Sequence, residues 1–327
     1  MTDEIKKIKE EMGDELFILA HHYQTDEIVA LADAVGDSLK LAQIAKLNKK
    51  AKYIIFCGVH FMAETADILT EDYQRVLLPA TDAGCPMADM ADKASAEKCM
   101  AKLTEEFGEN KILPITYVNS KAEVKAFCGN YGGPVVTSGN ADKILKWGLG
   151  QNKIVLFLPD QNLGRNTAYD LGVKLEEMAV YDQIREKLYY NCKKEDVKII
   201  LWGGYCHVHH FIMDETFDEA RKNNPDYKII LHPECRYDIA EKADGKGSTE
   251  YLINQVKNAP AGSKFIVGTE KNLVDRLIKD NPDKNIKILD SKSICRNMNQ
   301  VTTENLFETL EDIKKGDFSR QVVVDKE

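Results

Sequence analysis

Short apolar runs with polar carboxyl ends alternate along the chain with longer stretches of helical period. FILAHH, KYIIFCG, ILPITYV, KIVLFLP, KIILWGG, YKIILHP, KFIVGTE and IKILDS predict buried strands, and the intervening patterns predict helices. Such alternation implies α/β architecture with parallel sheets. The opening MTDEIKKIKEEMGDEL predicts a charged amphipathic helix that lacks the apolar core of a signal peptide.

The pattern repeats three times. A strand ends in a polar cluster around His or Tyr, a helical stretch follows, and a serine-bearing turn precedes a second helix. The turns carry Ser38, Ser138 and Ser248, and each is followed by a strand ending at Gly58, Pro159 or Gly268. A further strand then leads to Cys85, Cys206 or Cys295. Ser38 to Cys85 and Ser248 to Cys295 are both 47 residues apart, whereas Ser138 to Cys206 are 68 apart. The excess falls in the charged stretch KLEEMAVYDQIREKLYYNCKKEDVK. The predicted organisation is therefore three α/β repeats: residues 1–98 with the N-terminal helix and Cys85, 99–215 with Cys206, and 216–327 with Cys295 and a C-terminal helix. Three copies imply a pseudo-threefold axis on which the equivalent cysteines converge.

Three convergent thiolates suit a metal or cluster with one coordination position left open, which polarises a substrate oxygen as an open catalytic zinc does. The eight cysteines form no CxxC pair, so neither a zinc ribbon nor a thioredoxin motif is expected. Cys57, Cys99, Cys128, Cys192 and Cys235 are expected to pack as ordinary thiols. Ligands of parallel α/β domains bind beyond the carboxyl ends of the strands. The residues there are His21, His22 and Tyr23, then Tyr117 and Asn119, then His232 and Glu234, which are groups suited to proton transfer. His22 and His210 are read as bystanders. A serine at a helix start is commonly an N-cap, yet the same position can hold carboxylate or phosphate oxygens. In CHVHHF, His207 and His209 alternate if the segment is extended, and no HExxH-type base accompanies them. A mononuclear site is therefore disfavoured.

At 327 residues, 43% apolar and 30% charged, the chain has the composition of a globular protein of two or three domains. No apolar stretch is long enough for a membrane span, and a cytoplasmic location is expected. The net charge of −9 argues against a nucleic-acid partner, which calls for a basic face.

LAHHYQ, GDSLKLA, GVHFMAETADIL, AGCPMADM, YVNSKAEVKA, TSGNADKIL, LPDQNLGRNTA, WGGYCHVHHF, HPEC, GSTEYLI, GTE and CRNM together resemble the quinolinate synthase family, in the family's order from Leu19 to Met298. The resemblance implies three similar α/β/α domains with small parallel sheets around a pseudo-threefold axis. It also implies a 4Fe–4S cluster ligated by Cys85, Cys206 and Cys295, the set the repeat selects. His21, Tyr23, Ser38, Tyr117, Asn119, Ser138, His209, His232, Glu234, Ser248 and Thr249 would line the substrate pocket. Tyr23, His232 and Glu234 would move protons. The implied reaction joins iminoaspartate and dihydroxyacetone phosphate into quinolinate, phosphate and two waters. An oxidase or dehydrogenase that makes the unstable imine is the expected functional partner. The CxxC that some members carry around the last ligand is absent, because Met298 stands in its place. A non-enzymatic iron–sulfur sensor or electron carrier is disfavoured by the strand-end acid/base groups. A cluster dehydratase acting on a hydroxy acid would differ in releasing no phosphate.

Overall fold

The computed structural model describes residues 1–325. The strands of the first part of the chain are β1 (Leu16–His21), β2 (Ala34–Gly36), β3 (Tyr53–Cys57) and β4 (Arg75–Leu77). Next come β5 (Ile112–Tyr117), β6 (Val135–Val136), β7 (Ile154–Leu158), β8 (Met178–Asp182), β9 (Lys187–Tyr189) and β10 (Ile199–Trp202). They are followed by β11 (Lys228–Leu231), β12 (Gly245–Lys246), β13 (Lys264–Gly268), β14 (Asn285–Ile288) and β15 (Gln321–Val322). All eight apolar runs form strands. The short β2, β6 and β12, too brief to carry a periodic signal, lie just ahead of the three serine turns.

The strands build three small, mostly parallel sheets. Their orders are β15-β4-β3-β1-β2, β6-β5-β7-β10-β8-β9 and β12-β11-β13-β14. Within each sheet the same parallel four-strand order recurs: β2-β1-β3-β4, β6-β5-β7-β10 and β12-β11-β13-β14. Helices connect these strands, as parallel pairing requires. The additions are peripheral, and β8 pairs parallel with β10. β15 joins β4 at one edge, while β9 pairs antiparallel with β8, which lies beside β10. The 68-residue spacing of the middle repeat is thus accounted for by an extra β8–β9 pair. Its turn is held by Asp182, whose Oδ1 accepts from Ile184 N and Arg185 N at 3.0 and 2.9 Å.

By packing, the chain forms two compact units, Met1–Cys85 with Ile294–Glu327, and Pro86–Ser293. These boundaries differ from those drawn on the repeat, and residues 326 and 327 of the third repeat lie outside the described residues. The physical reason is the tail. Helix Thr303–Lys315 begins at a Thr302/Asn305 capping box and ends at Gly316, whose φ of 75° suits a residue without Cβ. Its Leu306, Leu310 and Ile313 join Ile5 and Ile8 of the N-terminal helix Thr2–Met12 in one core with Ile18 and Ile55. The apolar stripes of two amphipathic helices thereby cover the first sheet. In the larger unit, Phe127, Leu156, Ile200 and Trp202 lie in one core, and Phe217, Ile229, Leu231 and Ile266 in another. Among the described residues no helix is long and apolar enough to cross a membrane.

Candidate functional site

One register recurs in the three sheets. β1 pairs with β2 so that His21 faces Gly36, β5 with β6 so that Tyr117 faces Val136, and β11 with β12 so that Leu231 faces Lys246. Each serine stands two residues beyond the second member of its pair, so Ser38, Ser138 and Ser248 are delivered beside the polar ends of β1, β5 and β11. Their local roles differ. Ser248 is a helix N-cap, its Oγ accepting from Tyr251 N at 3.2 Å. Ser38 follows the capping residue Asp37, whose carboxylate accepts from Lys40 N at 2.9 Å. Ser138 precedes Asn140, which caps the helix Ala141–Leu149 positionally and accepts from Thr137 N at 2.7 Å. Gly139 lies against the Ser248 turn: a Cβ there would stand 3.7 Å from Ser248 Oγ. Thr249 is buried as the first residue of its helix.

In the larger unit, the strand-end residues Tyr117, His232 and Glu234 form a closed cluster with His209 and Thr269. His209 Nδ1 lies 2.8 Å from Glu234 Oε2, and its Nε2 lies 3.1 Å from Thr269 Oγ1. Because an ionised carboxylate only accepts, Nδ1 carries a proton toward Glu234, and Nε2 shares a hydrogen bond with the threonine hydroxyl. The His209 and His232 rings stack with centroids 4.5 Å apart. Tyr117 adds a side-chain hydrogen bond to Glu234. His209, His232 and Glu234 are 1–2% exposed.

Burial and charge set distinct protonation states in this cluster. Burial, offset only partly by the Glu234 charge, pushes His232 down to about 3, so its imidazole is neutral. Its Nδ1 accepts from Glu234 N at 3.4 Å, which leaves Nε2–H as a donor. Burial opposes ionisation of Glu234. The hydrogen bonds that Glu234 accepts from His209 and from the Tyr117 hydroxyl work against that burial and pull the carboxyl below the ordinary carboxylate range. Asp160 is also fully buried, and desolvation together with the Glu234 charge pushes it well above the usual carboxylate range. The charge on Glu234 and burial thus both work against a charge on Asp160, while its backbone hydrogen bonds favour one.

The CHVHHF segment is not extended. Residues His207–His210 make one helical turn with Cys206 at its N-cap, and the Cys206 carbonyl accepts from His209 N and His210 N at 3.3 and 2.9 Å. Helical spacing therefore places Cys206 and His209 on one face. Ligand atoms of Cys206, His209 and Glu234 all lie within 4.8 Å of one another, a grouping able to bind a metal. His210 turns elsewhere: it stacks on Tyr205 at 4.2 Å and meets Asn162 Nδ2 at 3.0 Å.

In the smaller unit, His21 and Tyr23 pack edge to face at 4.7 Å, and Tyr23 N donates to His21 Nδ1 at 3.1 Å. The buried Gln24 donates from Nε2 to Met298 O at 3.0 Å, tying the end of β1 to the segment that carries Cys295. Asn119 lies half-buried just past Tyr117, in a turn closed by Ser120 Oγ donating to Tyr117 O at 2.8 Å. Cys85, Cys206 and Cys295 are all half-buried. Cys57, Cys99, Cys128 and Cys235 are buried, and desolvation pushes all four thiols up, to about 12 for Cys57 and Cys128.

Three contributors are not singled out by the sequence reading: Thr269, Asp160 and Asn166. Asn166 Nδ2 donates to Pro233 O and Cys235 O, both at 2.8 Å, and so grips the peptide on either side of Glu234. All three lie in the GTE and LPDQNLGRNTA segments, where polar residues follow directly on an apolar strand, and that was the available signal.

The family model described as quinolinate synthetase A protein matches residues 3–327. Proteins named quinolinate synthase from Bacillus cereus (strain AH187), Bacillus anthracis (strain A0248) and Bacillus thuringiensis subsp. konkukian (strain 97-27) are each 50% identical over 328 residues. These alignments cover 100% of this chain and 89% of each relative. A solved E-1-hydroxy-2-methyl-but-2-enyl-4-diphosphate reductase from Plasmodium falciparum aligns at a TM-score of 0.30 and 12% identity, over 90% of this chain and 80% of that one. That likeness is too slight to carry weight. The match along essentially the whole sequence, at half identity to enzymes of one name, means that the chain belongs to the quinolinate synthetase A family.

Proposed function

We propose that this enzyme condenses iminoaspartate with dihydroxyacetone phosphate to give quinolinate, phosphate and two waters, using a 4Fe–4S cluster held by Cys85, Cys206 and Cys295. The observation that carries the reading is the buried Tyr117–His209–His232–Glu234 cluster beside the Cys206 thiol. Three repeats, 1–98, 99–215 and 216–327, each contribute one cysteine and one polar strand end. An oxidase or dehydrogenase of the same compartment, the cytoplasm, supplies the imine.

The thiols present fit such a group. Four of the other five cysteines are sealed in the interior with raised thiols, unsuited to act as thiolate ligands. The remaining one, Cys192, has no counterpart in the other repeats. When bound, the cluster supplies an open iron, a Lewis acid toward a substrate oxygen.

The chain's own groups divide the remaining work. Glu234, ionised and held by His209, accepts a proton from substrate carbon or nitrogen. Neutral His232 donates from Nε2–H to a leaving or developing oxygen. Tyr23, packed on His21, relays a proton in a dehydration step. Ser38, Ser138, Ser248, Thr249, Asn119 and His21 hold carboxylate and phosphate oxygens with hydroxyl, amide and imidazole donors. Closure of the cluster from water keeps the imine from hydrolysis.

The test is iron and sulfide content with optical and electron paramagnetic resonance spectra on protein purified without oxygen. About four irons per chain, lost in Cys85→Ala, Cys206→Ala and Cys295→Ala but kept in Cys235→Ala, is the expected result. Release of phosphate during turnover distinguishes the triose phosphate reaction from a hydroxy-acid dehydration. Wild-type protein that takes up no iron on reconstitution would overturn the reading.

A further inference from the structure

Asp160 stands immediately after β7 and is 0% exposed. Its carboxyl accepts from the backbone of its own helix, at Leu163 and Asn162, and from one distant backbone group, at Cys206. Oδ1 accepts from Leu163 N at 2.7 Å and so caps the helix Gln161–Asp170. Oδ2 accepts from Cys206 N at 3.1 Å. The two backbones are also joined directly: Asp160 and Gly204 form a parallel bridge, and Gln161 N donates to Gly204 O at 2.9 Å. The helix cap and the cysteine segment are thus braced by one carboxyl group.

A cap alone needs one acceptor. The other N-capping aspartates, Asp37 and Asp92, each accept only from their own helix, at Lys40 N and Ser95 N. Asp160 adds a tertiary partner, and that partner is the main-chain N–H of a proposed ligand. From these bonds we infer that Asp160 is a positioning residue for the Cys206 thiolate, fixing the φ/ψ of the segment so that Sγ meets the cluster in one orientation. The inference rests on the cluster reading above. It requires the second acceptor oxygen, because an amide nitrogen or a shorter hydroxyl in that place leaves Cys206 N–H without a lone pair to accept it.

Two variants separate positioning from capping. Asp160→Ser retains a good N-cap and loses the reach to Cys206 N. Asp160→Asn keeps the shape and one acceptor but turns a donor toward that N–H. Both are purified without oxygen beside wild type and Cys206→Ala. The readouts are iron and sulfide per chain, the electron paramagnetic resonance spectrum of the reduced cluster, its midpoint potential, its lifetime in air, and thermal melting.

Wild type with iron and Cys206→Ala without it would uphold the cluster reading; the opposite would sink that reading first and separately. Given a loaded wild type, both Asp160 variants are expected to melt cooperatively and to retain the cluster about 10–100-fold less well, with a shifted spectrum and potential. Variants with wild-type iron content, spectrum, potential and lifetime would overturn the inference. Loss of folding in both would assign Asp160 to the scaffold alone and overturn it equally.

Discussion

The imidazole of His209 and the carboxylate of Glu234 are joined across 25 residues of sequence by a 2.8 Å hydrogen bond, with both side chains sealed from solvent. The bond holds a proton on His209 Nδ1 and keeps a carboxylate charged where burial would otherwise neutralise it. Glu234→Gln keeps the shape and removes the proton acceptor. Turnover is expected to fall by about 10²–10⁴-fold, with cooperative melting retained. Steady-state kinetics and a melting curve on one preparation check this, and wild-type turnover would take Glu234 out of proton transfer.

Asn166 grips the loop on either side of that glutamate with its amide nitrogen. Asn166→Asp substitutes an oxygen for the nitrogen and sets it against two carbonyl oxygens. The expected loss is about 1–3 kcal/mol of stability, read as a lower urea midpoint. A fall in kcat should accompany it. An unchanged midpoint would show that the loop is held by other contacts.

Gly204 lies so close to the preceding strand end that a Cβ would stand 2.5 Å from Pro159 O. A backbone atom cannot yield as a flexible side chain does. Gly204→Ala should cost about 1–3 kcal/mol and displace the segment leading to Cys206, lowering both melting temperature and iron content. Iron at the wild-type level in this variant would mean that the segment tolerates the shift.

Thiol burial predicts a labelling pattern for cluster-free protein. Cys85, Cys192, Cys206 and Cys295 are half-buried and should react with iodoacetamide in the native state. Cys57, Cys99, Cys128 and Cys235, buried and with raised thiols, should label only after denaturation. Mass spectrometry of the digested protein reads the difference. Native-state labelling of any of those four would contradict its placement.

Asp244 ties the start of β11 to a helix, its Oδ2 accepting from Ile229 N and from Arg221 Nη2, both at 2.7 Å. Partial burial works against its charge. The Ile229 N–H and then the Arg221 guanidinium outweigh that and hold the carboxyl below its ordinary 3.8. A depressed folded-state value contributes stability above the unfolded value and loses it as pH falls through the folded one. Wild type should therefore exceed Asp244→Asn in urea midpoint at pH 7, with the gap closing below about pH 4. A gap that persists undiminished into acid would place the effect in something other than ionisation.

The sequence alone determined the strands that bury both faces, because continuous apolar runs bounded by polar clusters have few other uses. It also determined the threefold repetition and the amphipathic character of the first helix. Tertiary structure decided what depends on distant partners. Two- and three-residue strands such as β2, β6 and β12 exist only because a neighbour pairs with them. The extra length of the middle repeat became a β8–β9 pair because a sheet edge was available beside β10. The C-terminal helix joined the first sheet because Leu306, Leu310 and Ile313 found Ile5 and Ile8 there. The residue types of the site were legible at the strand ends, His232 and Glu234 among them. Their grouping was not: the His209–Glu234 bond, the Thr269 contact and the second oxygen of Asp160 on Cys206 N link segments 25–60 residues apart. Periodicity reports which face of an element is buried and carries no information about which polar atom will meet another across the fold.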